Sequence, residues 1–265
     1  MNLKELQRNW DKFGKQDPLY AILVEEGKGG NKWKPEHFFE RGRQEIDEIM
    51  DYTTNSLGLT VRRSRALDFG CGVGRLTQAL ASYFETVVGV DIAPAMLKGA
   101  RKYNKFADRC QYVLNERDDL RLFESNSFDF VYSNLVLQHM RPEYCKSYLK
   151  EFIRVLRPNG LLVFYMPSEV LEQNSVPPSM PKPHLRSTTL LPRLKQSIKA
   201  LTPKPILSFY AKWRYESQPV MEMYYVKRPE IEAYLREHGG DILDTYPYYV
   251  TVPKIEGFQY IVTKH

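Results

Sequence analysis

Residues 66–76 read Ala66-Leu67-Asp68-Phe69-Gly70-Cys71-Gly72-Val73-Gly74-Arg75-Leu76. A short apolar run enters three closely spaced glycines, and the segment after them repeats apolar side chains at helical spacing. The stretch therefore predicts a strand, a tight turn and a helix. Such a turn brings bare backbone against a nucleoside-containing ligand, because glycine tolerates positive φ there and avoids a clash.

The position of Asp68, two residues before the first glycine, separates two classes of ligand. A dinucleotide fingerprint has the spacing G-x-G-x-x-G, whereas this chain has G-x-G-x-G, with Arg75 where the third glycine would stand. At about 4 Å and an effective dielectric of about 20, like charges repel each other by roughly 4 kcal/mol. A carboxylate here therefore disfavours the diphosphate of NAD or FAD and favours the ammonium and sulfonium of S-adenosylmethionine.

A second acid, Asp91, ends the next predicted strand. An acid at that place can accept hydrogen bonds from both hydroxyls of a ribose. Asp91 therefore supports a nucleoside ligand without choosing between the two classes of cofactor.

Strands and helices alternate along most of the chain. The predicted strands, besides the one at 66–69, are 86–91, 111–114, 128–133, 160–165, 241–248 and 258–263. The predicted helices are 35–57, 75–84, 94–103, 142–156 and 228–238. This rhythm indicates a parallel sheet covered on both faces, with the last two strands pairing antiparallel through a turn at 253–257.

The predicted fold class is α/β, a doubly wound, three-layer Rossmann-like sheet of seven strands with an N-terminal helical cap. The sheet is mostly parallel, with one antiparallel strand near the C-terminus. We assign one domain over 1–265 with four parts: a cap at 1–60, a cofactor-binding core at 61–167, a basic, proline-rich insertion or lid at 168–222, and a C-terminal helix and hairpin at 223–265.

Composition excludes several classes of protein. The chain is 43% hydrophobic and 26% charged, as in ordinary globular proteins. Residues 1–14 contain no apolar core and no run of 18 apolar residues occurs elsewhere, so we expect neither a signal peptide nor a membrane span. The three cysteines are odd in number and lack metal-ligand spacing, which predicts reduced thiols, a cytoplasmic protein and no metal site.

Much of the net charge of +6 arises between Ser168 and Val220. Within this segment, residues 189–215 combine leucines near one helical face with basic and aromatic side chains. The pattern fits a lid with a solvated basic face, a peripheral membrane contact, or a surface that grips an acidic or lipid-linked acceptor. These interpretations stay open.

The glycine turn and the two acids resemble the first two motifs of the class I S-adenosylmethionine-dependent methyltransferases. The resemblance continues through Ser127-Phe128-Asp129-Phe130-Val131-Tyr132-Ser133 and Leu156-Arg157-Pro158-Asn159-Gly160-Leu161-Leu162, which are similar to the family's fourth strand and the turn into its fifth. Four motifs in the family's order cover about residues 65–165. The resemblance implies an enzyme that transfers a methyl group from S-adenosylmethionine.

The resemblance also implies roles for individual residues. Asp68 and the Gly70 backbone would hold the methionine end of the cofactor, and carbonyls near Ser133 and Asn134 would accept from its ammonium. Asp91 would bind the ribose. The other candidates for cofactor binding are Gly72, Gly74, Ile92, Met96, Asn115 and Arg41.

Two of these assignments, the adenine acceptor and Arg41, are open. Ile92 and Met96 would pack near the adenine. The adenine amino group needs an acidic or amide acceptor after the third strand, where we favour Asn115 among four candidates, Asn115, Glu116, Asp118 and Asp119. Arg41 would pair with the carboxylate of the cofactor, or would simply be an exposed helix arginine.

His139 is the candidate catalytic residue. Displacement at a sulfonium methyl needs an in-line nucleophile, excluded water and, for a hydroxyl, removal of a proton. His139 follows the predicted fourth strand, near the expected position of the methyl group, and histidine titrates in the range of a general base. The alternative is a structural histidine.

The expected acceptor is a small molecule, a sugar or a lipid-linked compound, methylated at a hydroxyl. Nucleic acid is disfavoured, because Ser133-Asn134-Leu135-Val136 lacks the Asn/Asp-Pro-Pro-aromatic motif of enzymes that methylate exocyclic amino groups of bases. A non-catalytic binding protein on the same fold is the remaining alternative. We expect segments 1–57 and 168–226 to build the acceptor pocket.

Overall fold

The computed structural model describes residues 1–170, 218–248 and 255–264. Within them, seven strands form one sheet in the order β3-β2-β1-β4-β5-β7-β6. The strands are β1 (Arg65–Phe69), β2 (Thr86–Asp91), β3 (Cys110–Leu114), β4 (Phe128–Ser133), β5 (Leu156–Val170), β6 (Gly240–Pro247) and β7 (Ile255–Lys264).

Seven α-helices surround the sheet in these ranges. They are α1 (Leu3–Gln16), α2 (Pro18–Ile22), α3 (Pro35–Asp51), α4 (Arg75–Leu80), α5 (Pro94–Tyr103), α6 (Pro142–Val155) and α7 (Arg228–Glu237). Several of them begin with proline, whose fixed φ suits the first turn of a helix.

The strand pairing confirms the predicted fold class. Strands β1 to β5 pair in parallel, and β7 runs antiparallel to both β5 and β6. The order reverses between β1 and β4, where a doubly wound sheet opens the crevice that binds ligands. The carboxyl ends of β1, β2 and β4 therefore meet at one edge.

Several boundaries differ from the sequence prediction. α4 ends at Leu80 rather than at residue 84, and β7 begins at Ile255 rather than at residue 258. β5 begins at Leu156, because Leu156 already pairs with Phe128 across an irregularity in the β4 register. The helix predicted through Leu57 ends at Asp51 and continues as a π-helical turn, Tyr52–Ser56. Thr53 and Thr54 donate their hydroxyls to main-chain carbonyls of the preceding turn, a pattern that bends helices.

Each face of the sheet buries its own apolar cluster, as alternating strand side chains require. On one face, Val131 and Phe164 pack with Phe152 of α6 and Leu235 of α7. On the other face, the strand side chains pack against α3, α4 and α5, with Ile46, Leu80, Leu97, Phe130, Tyr132 and Val163 among the buried members. The sheet is therefore the middle of three layers.

The N-terminal helices form a cap over the glycine turn. Trp33 and Phe38 pack with Val73 of the turn and Met96 of α5 in a third apolar cluster. Asp11 of α1 also accepts the Ala95 amide at 2.8 Å. Cap and core thus share buried side chains, and the assigned boundaries of the four parts stay predictions.

Two sequence predictions fall on residues outside the described ranges. The basic segment at 189–215 lies wholly outside them, as do residues 253–254 of the turn assigned to 253–257, whereas residues 255–257 of that turn belong to β7. Among the helices of the described ranges, none has the length and apolar character needed to cross a membrane.

Gly42 provides the close contact between α3 and α4. A Cβ atom at this position would lie 2.5 Å from Arg75 Cγ and 2.9 Å from the Arg75 carbonyl oxygen. We expect Gly42→Ala to lower the free energy of unfolding by about 1–3 kcal/mol, since overpacking outweighs the helix propensity gained. Denaturant titration measures the change. The exposed Gln44→Ala on the same helix should stay within about 0.5 kcal/mol of wild type, and equal losses in both variants would contradict the packing argument.

Candidate functional site

The glycine turn is anchored to the neighbouring strand. The amides of Gly70 and Cys71 donate to the Val90 carbonyl at 2.8 and 3.0 Å. Gly70 and Gly72 have φ of 76° and 53°, and Cβ atoms there would lie 2.3 Å from Val136 Cγ2 and 2.6 Å from Ile22 Cδ1. Backbone conformation therefore requires glycine at both positions, and the Val136 side chain adds a steric requirement at Gly70.

Asp68 is buried beneath this turn, with 1% of its surface exposed. The Thr77 hydroxyl donates to Asp68 Oδ2 at 2.6 Å. Burial raises the pKa of Asp68 to about 7, although the Thr77 hydrogen bond and the positive charge of Arg75 both lower it. The carboxyl group is thus poised to ionise when a cation approaches.

Asp91 ties the turn to the end of β2. Its Oδ2 accepts the Gly72 amide at 2.8 Å, and its Oδ1 accepts the Ala93 amide at the same distance. Burial raises the pKa of Asp91 to about 6, while these backbone hydrogen bonds lower it. The structure therefore brings the glycine turn, Asp68 and Asp91 to one place.

The end of β4 contributes buried polar atoms to the same edge of the sheet. Ser133 Oγ and Asn134 Oδ1 are buried and have no hydrogen-bond partner. Asn134 Nδ2 donates to Glu45 Oε1 at 2.7 Å. Leu135 then adopts φ of 60°, an uncommon conformation for a non-glycine residue, and such outliers concentrate at functional sites.

The side chain of Asn115 is engaged in its own turn. Its Nδ2 donates to the Asp119 carbonyl at 2.8 Å, and its Oδ1 accepts the Arg117 amide at 3.3 Å. The neighbouring Glu116 is exposed and accepts from Gln7 of α1 at 2.5 Å. These contacts favour Glu116 over Asn115 as the adenine acceptor, and the assignment stays a prediction.

The two apolar candidates for the adenine differ in exposure. Met96 is 1% exposed and belongs to the cluster beneath the cap. Ile92 is half-buried at the end of β2, next to Asp91. Ile92 is therefore the better placed of the two to contact a ligand, and Met96 contributes mainly to packing.

Arg41 and Arg75 have opposite environments. The Arg41 side chain is 60% exposed and lies 3.9 Å from Glu25. Arg75 is buried and contacts Glu45 at 2.8 Å, with 4% and 16% of the two side chains exposed. Arg75 is thus a buried residue, whereas the contacts of Arg41 are those of an exposed helix arginine.

His139 is buried with both ring nitrogens engaged. Nδ1 lies 2.9 Å from the Glu222 carbonyl, which only accepts, so Nδ1 carries the hydrogen. Nε2 then accepts from Gln138 Nε2 at 3.1 Å, and the ring packs edge-on against Trp10. Burial lowers the pKa of His139 to about 4. These contacts favour a positioning role over that of a general base.

Sequence analysis does not single out Glu45 or Gln259. Glu45 lies beside Ile46 in the buried stripe of α3, and Gln259 stands between Phe258 and Tyr260 in an apolar strand. A polar side chain inside an apolar pattern was the available signal. Its meaning depends on partners that are distant in the sequence.

Comparison with known proteins identifies the kind of domain that contains this site. A family model described as a methyltransferase domain matches residues 67–164. The chain carries a class I S-adenosylmethionine-dependent methyltransferase domain. S-adenosylmethionine is therefore its cofactor, and the resemblance drawn from the sequence is confirmed.

Among curated proteins, this methyltransferase domain is similar to parts of longer chains. It is 34% identical over 116 residues to the biotin biosynthesis bifunctional protein BioHC of Cellvibrio japonicus, covering 43% of this chain and 21% of that protein. It is 28% identical over 156 residues to the ubiquinone biosynthesis O-methyltransferase of Xanthomonas oryzae pv. oryzae, covering 58% and 54%. The chain thus spans from a fifth to about half of the length of such relatives.

Similarity to solved structures extends over the whole fold. The magnesium protoporphyrin IX methyltransferase of Synechocystis PCC 6803, crystallised with S-adenosylhomocysteine, matches with a TM-score of 0.60 at 16% identity, covering all of both chains. The protein PH0226 of Pyrococcus horikoshii OT3 matches with a TM-score of 0.56 at 21% identity, covering 93% of this chain and 96% of that one. At these identities the similarity is one of fold.

The side chains at the strand ends fit the cofactor chemically. Asp68 offers a buried carboxyl group that can ionise beside a cation, and Asn134 Oδ1 is a hydrogen-bond acceptor without a partner. Both suit a ligand that carries an ammonium and a sulfonium. Asp91 lies beside the glycine turn, where its carboxylate can accept from hydroxyl groups.

The buried His139 predicts a specific sensitivity to acid. Between pH 6.5 and about 4 the unfolded ring takes up a proton and the folded ring does not. The free energy of unfolding therefore decreases by up to about 3 kcal/mol as the pH is lowered through this range. Denaturant unfolding at about pH 7, 5.5 and 4.5 measures this loss. His139→Gln should remove this part of the pH dependence, whereas the exposed His37→Gln should retain it. If stability falls equally in the wild type and in His139→Gln, the assigned environment is wrong.

Proposed function

We propose that this protein transfers the methyl group of S-adenosylmethionine to a hydroxyl of a small-molecule acceptor. The proposal rests on one observation, which is that functional groups from the ends of β1, β2 and β4 meet at one place. The Asp91 carboxylate holds the Gly72 amide at 2.8 Å, Asp68 is buried below the turn, and Asn134 presents an unpaired acceptor from β4. This arrangement suits a cationic nucleoside and repels a diphosphate.

The names of relatives support oxygen as the acceptor atom. One relative is the ubiquinone biosynthesis O-methyltransferase mentioned above. Another, 34% identical over 103 residues and covering 38% of this chain and 36% of that protein, is the malonyl-[acyl-carrier protein] O-methyltransferase of Methylococcus capsulatus. A sugar or lipid-linked acceptor and a peripheral membrane contact through 189–215 remain alternatives within the proposal.

In this mechanism, the bound cofactor supplies an electrophilic methyl group. Asp68 and Asn134 orient the charged end of the ligand, and Asp91 orients its hydroxyls. The cap formed by α1 to α3 packs over the glycine turn and excludes water from it. The remaining requirement is an acceptor oxygen held in line with the methyl group, which proximity and orientation can supply.

Methyl transfer forms the bond from carbon to the acceptor oxygen and breaks the bond from carbon to sulfur, and the proton of the acceptor hydroxyl is released to solvent. A neutral His139 with a pKa of about 4 is a weak base at neutral pH. Its contacts with Glu222 and Trp10 instead hold the segment after β4 against α1. We propose that His139 positions this segment, and its role as a base stays a prediction.

Binding of S-adenosylhomocysteine, followed by calorimetry between about pH 6 and 8, tests the proposal. We expect binding to weaken as pH falls below 7, because Asp68 is then protonated and no longer attracts the ammonium. Asp68→Asn should weaken binding about tenfold or more and flatten the pH dependence. The exposed Asp108→Asn serves as the control and should behave like wild type.

Turnover is followed by release of S-adenosylhomocysteine from S-adenosylmethionine over a panel of hydroxylated acceptors. Cofactor binding without release on any acceptor would favour a non-catalytic binding protein. No heat with either form of the cofactor would remove the proposed function altogether.

A further inference from the structure

We propose that a row of side chains on the α3 face of the sheet recognises the methyl acceptor, with Gln259 at its centre. We call it the acceptor row, and it consists of Asn134, Tyr165, Gln259, Tyr246 and Tyr248. Its ligand is a neutral aromatic ring that carries hydroxyl groups. This inference rests on the proposed function and names the substrate class.

Strand register places the row on one face of the sheet. Tyr165 of β5 is the partner of Gln259 of β7, and Gln259 is the partner of Tyr246 of β6. Partnered residues share a face, and Tyr246 packs against the cluster beneath α3 and α4. The row therefore lies on the same side of the sheet as the buried pair of Arg75 and Glu45.

Tyr248 connects the row to the cofactor end. Its hydroxyl accepts from Asn134 Nδ2 at 3.3 Å, and its ring lies 5.4 Å from the ring of Tyr165. The cofactor candidates lie at the ends of β2, β1 and β4, and the row continues from β4 across β5, β7 and β6. An in-line displacement needs the acceptor on the side of the methyl group opposite the cofactor's sulfur, and the row begins at the cofactor candidate Asn134.

Gln259 supplies the evidence for a polar ligand. Its side chain is fully buried, and neither Oε1 nor Nε2 has a hydrogen-bond partner. Buried amides without partners are rare in folded proteins. A ligand hydroxyl can donate to Gln259 Oε1 and accept from Gln259 Nε2.

The row also keeps space for an aromatic side chain. A Cβ atom at Gly257 would lie 2.2 Å from the Tyr165 hydroxyl oxygen. The φ of Gly257 is not positive, so the glycine is required by space rather than by backbone conformation. It allows the phenol of Tyr165 to lie over β7 at the edge of the sheet where the strand ends meet.

Charge selects a neutral ligand over an anion. Arg75, the cation beside the row, is already paired with Glu45, whose Oε1 also accepts from Tyr132 and Asn134. Burial raises the pKa of Tyr165 to about 12 and that of Tyr246 to about 12, so both stay neutral. Neutral tyrosines beside an amide donor and acceptor suit a hydroxylated ring better than a carboxylate or phosphate.

Catechol and benzoate are the probes of the experiment. Release of S-adenosylhomocysteine measures turnover, and saturation-transfer NMR in the presence of S-adenosylhomocysteine measures binding of the probe without turnover. We expect wild type to bind and methylate catechol but not benzoate. Gln259→Leu should raise the KM for catechol about tenfold or more, with unchanged affinity for S-adenosylhomocysteine.

Tyr260→Phe is the matched control. Tyr260 is adjacent to Gln259 in β7 and also has a buried, unpaired hydroxyl, but it faces the opposite cluster and stacks on Phe164. This variant should keep the KM of wild type. Thermal unfolding of both variants shows whether either change merely alters stability.

The outcomes separate this inference from the proposed function. An unchanged KM in Gln259→Leu, or saturation transfer that the variant retains, would overturn the acceptor row. If Gln259→Leu is more stable than wild type and binds catechol equally well, the Gln259 amide binds an internal water rather than a ligand. That result would also overturn the acceptor row. If no acceptor is methylated, loss of the catechol signal in Gln259→Leu alone would still support the row while the transfer reaction fails.

Discussion

The buried ion pair between Arg75 and Glu45 connects every part of the site. Arg75 begins α4 immediately after the glycine turn, and Glu45 belongs to the cap helix α3. Glu45 also accepts from Tyr132 and Asn134 on β4. A buried charge is tolerated only when its partners are in place, and removal of one partner costs about 3–5 kcal/mol. Cap, cofactor turn and acceptor row are therefore held in one arrangement.

Those parts of the site that depend on local sequence could be predicted. The glycine turn, Asp68 and Asp91 lie in or next to strands whose apolar patterns are clear, and their mutual contacts follow from the parallel pairing of β1 and β2. Strand ends in such a sheet meet at one edge, so the residue types alone indicate a cationic nucleoside. The fold class could be predicted for the same reason.

The remaining parts depend on contacts between distant segments. Asn115 could be placed after β3, but its engagement with the Asp119 carbonyl follows from the shape of the turn. His139 could be placed after β4, but its tautomer follows from the carbonyl of Glu222, 83 residues away, and its lowered pKa follows from burial. Periodicity does not show such contacts, since it reports the face of an element and not its partner.

The cofactor site and the acceptor row both contain buried polar groups that the protein itself does not fully stabilise. Burial raises the pKa of Asp68 to about 7 and that of Asp91 to about 6, so the stability they contribute in acid is lost as pH rises from 3.8 through these values. A bound cation offsets that loss at neutral pH. In the acceptor row, Gln259 likewise lacks a partner. Ligand binding and folding stability are thus coupled through the same buried atoms, as expected where interactions reserved for ligands weaken the free protein.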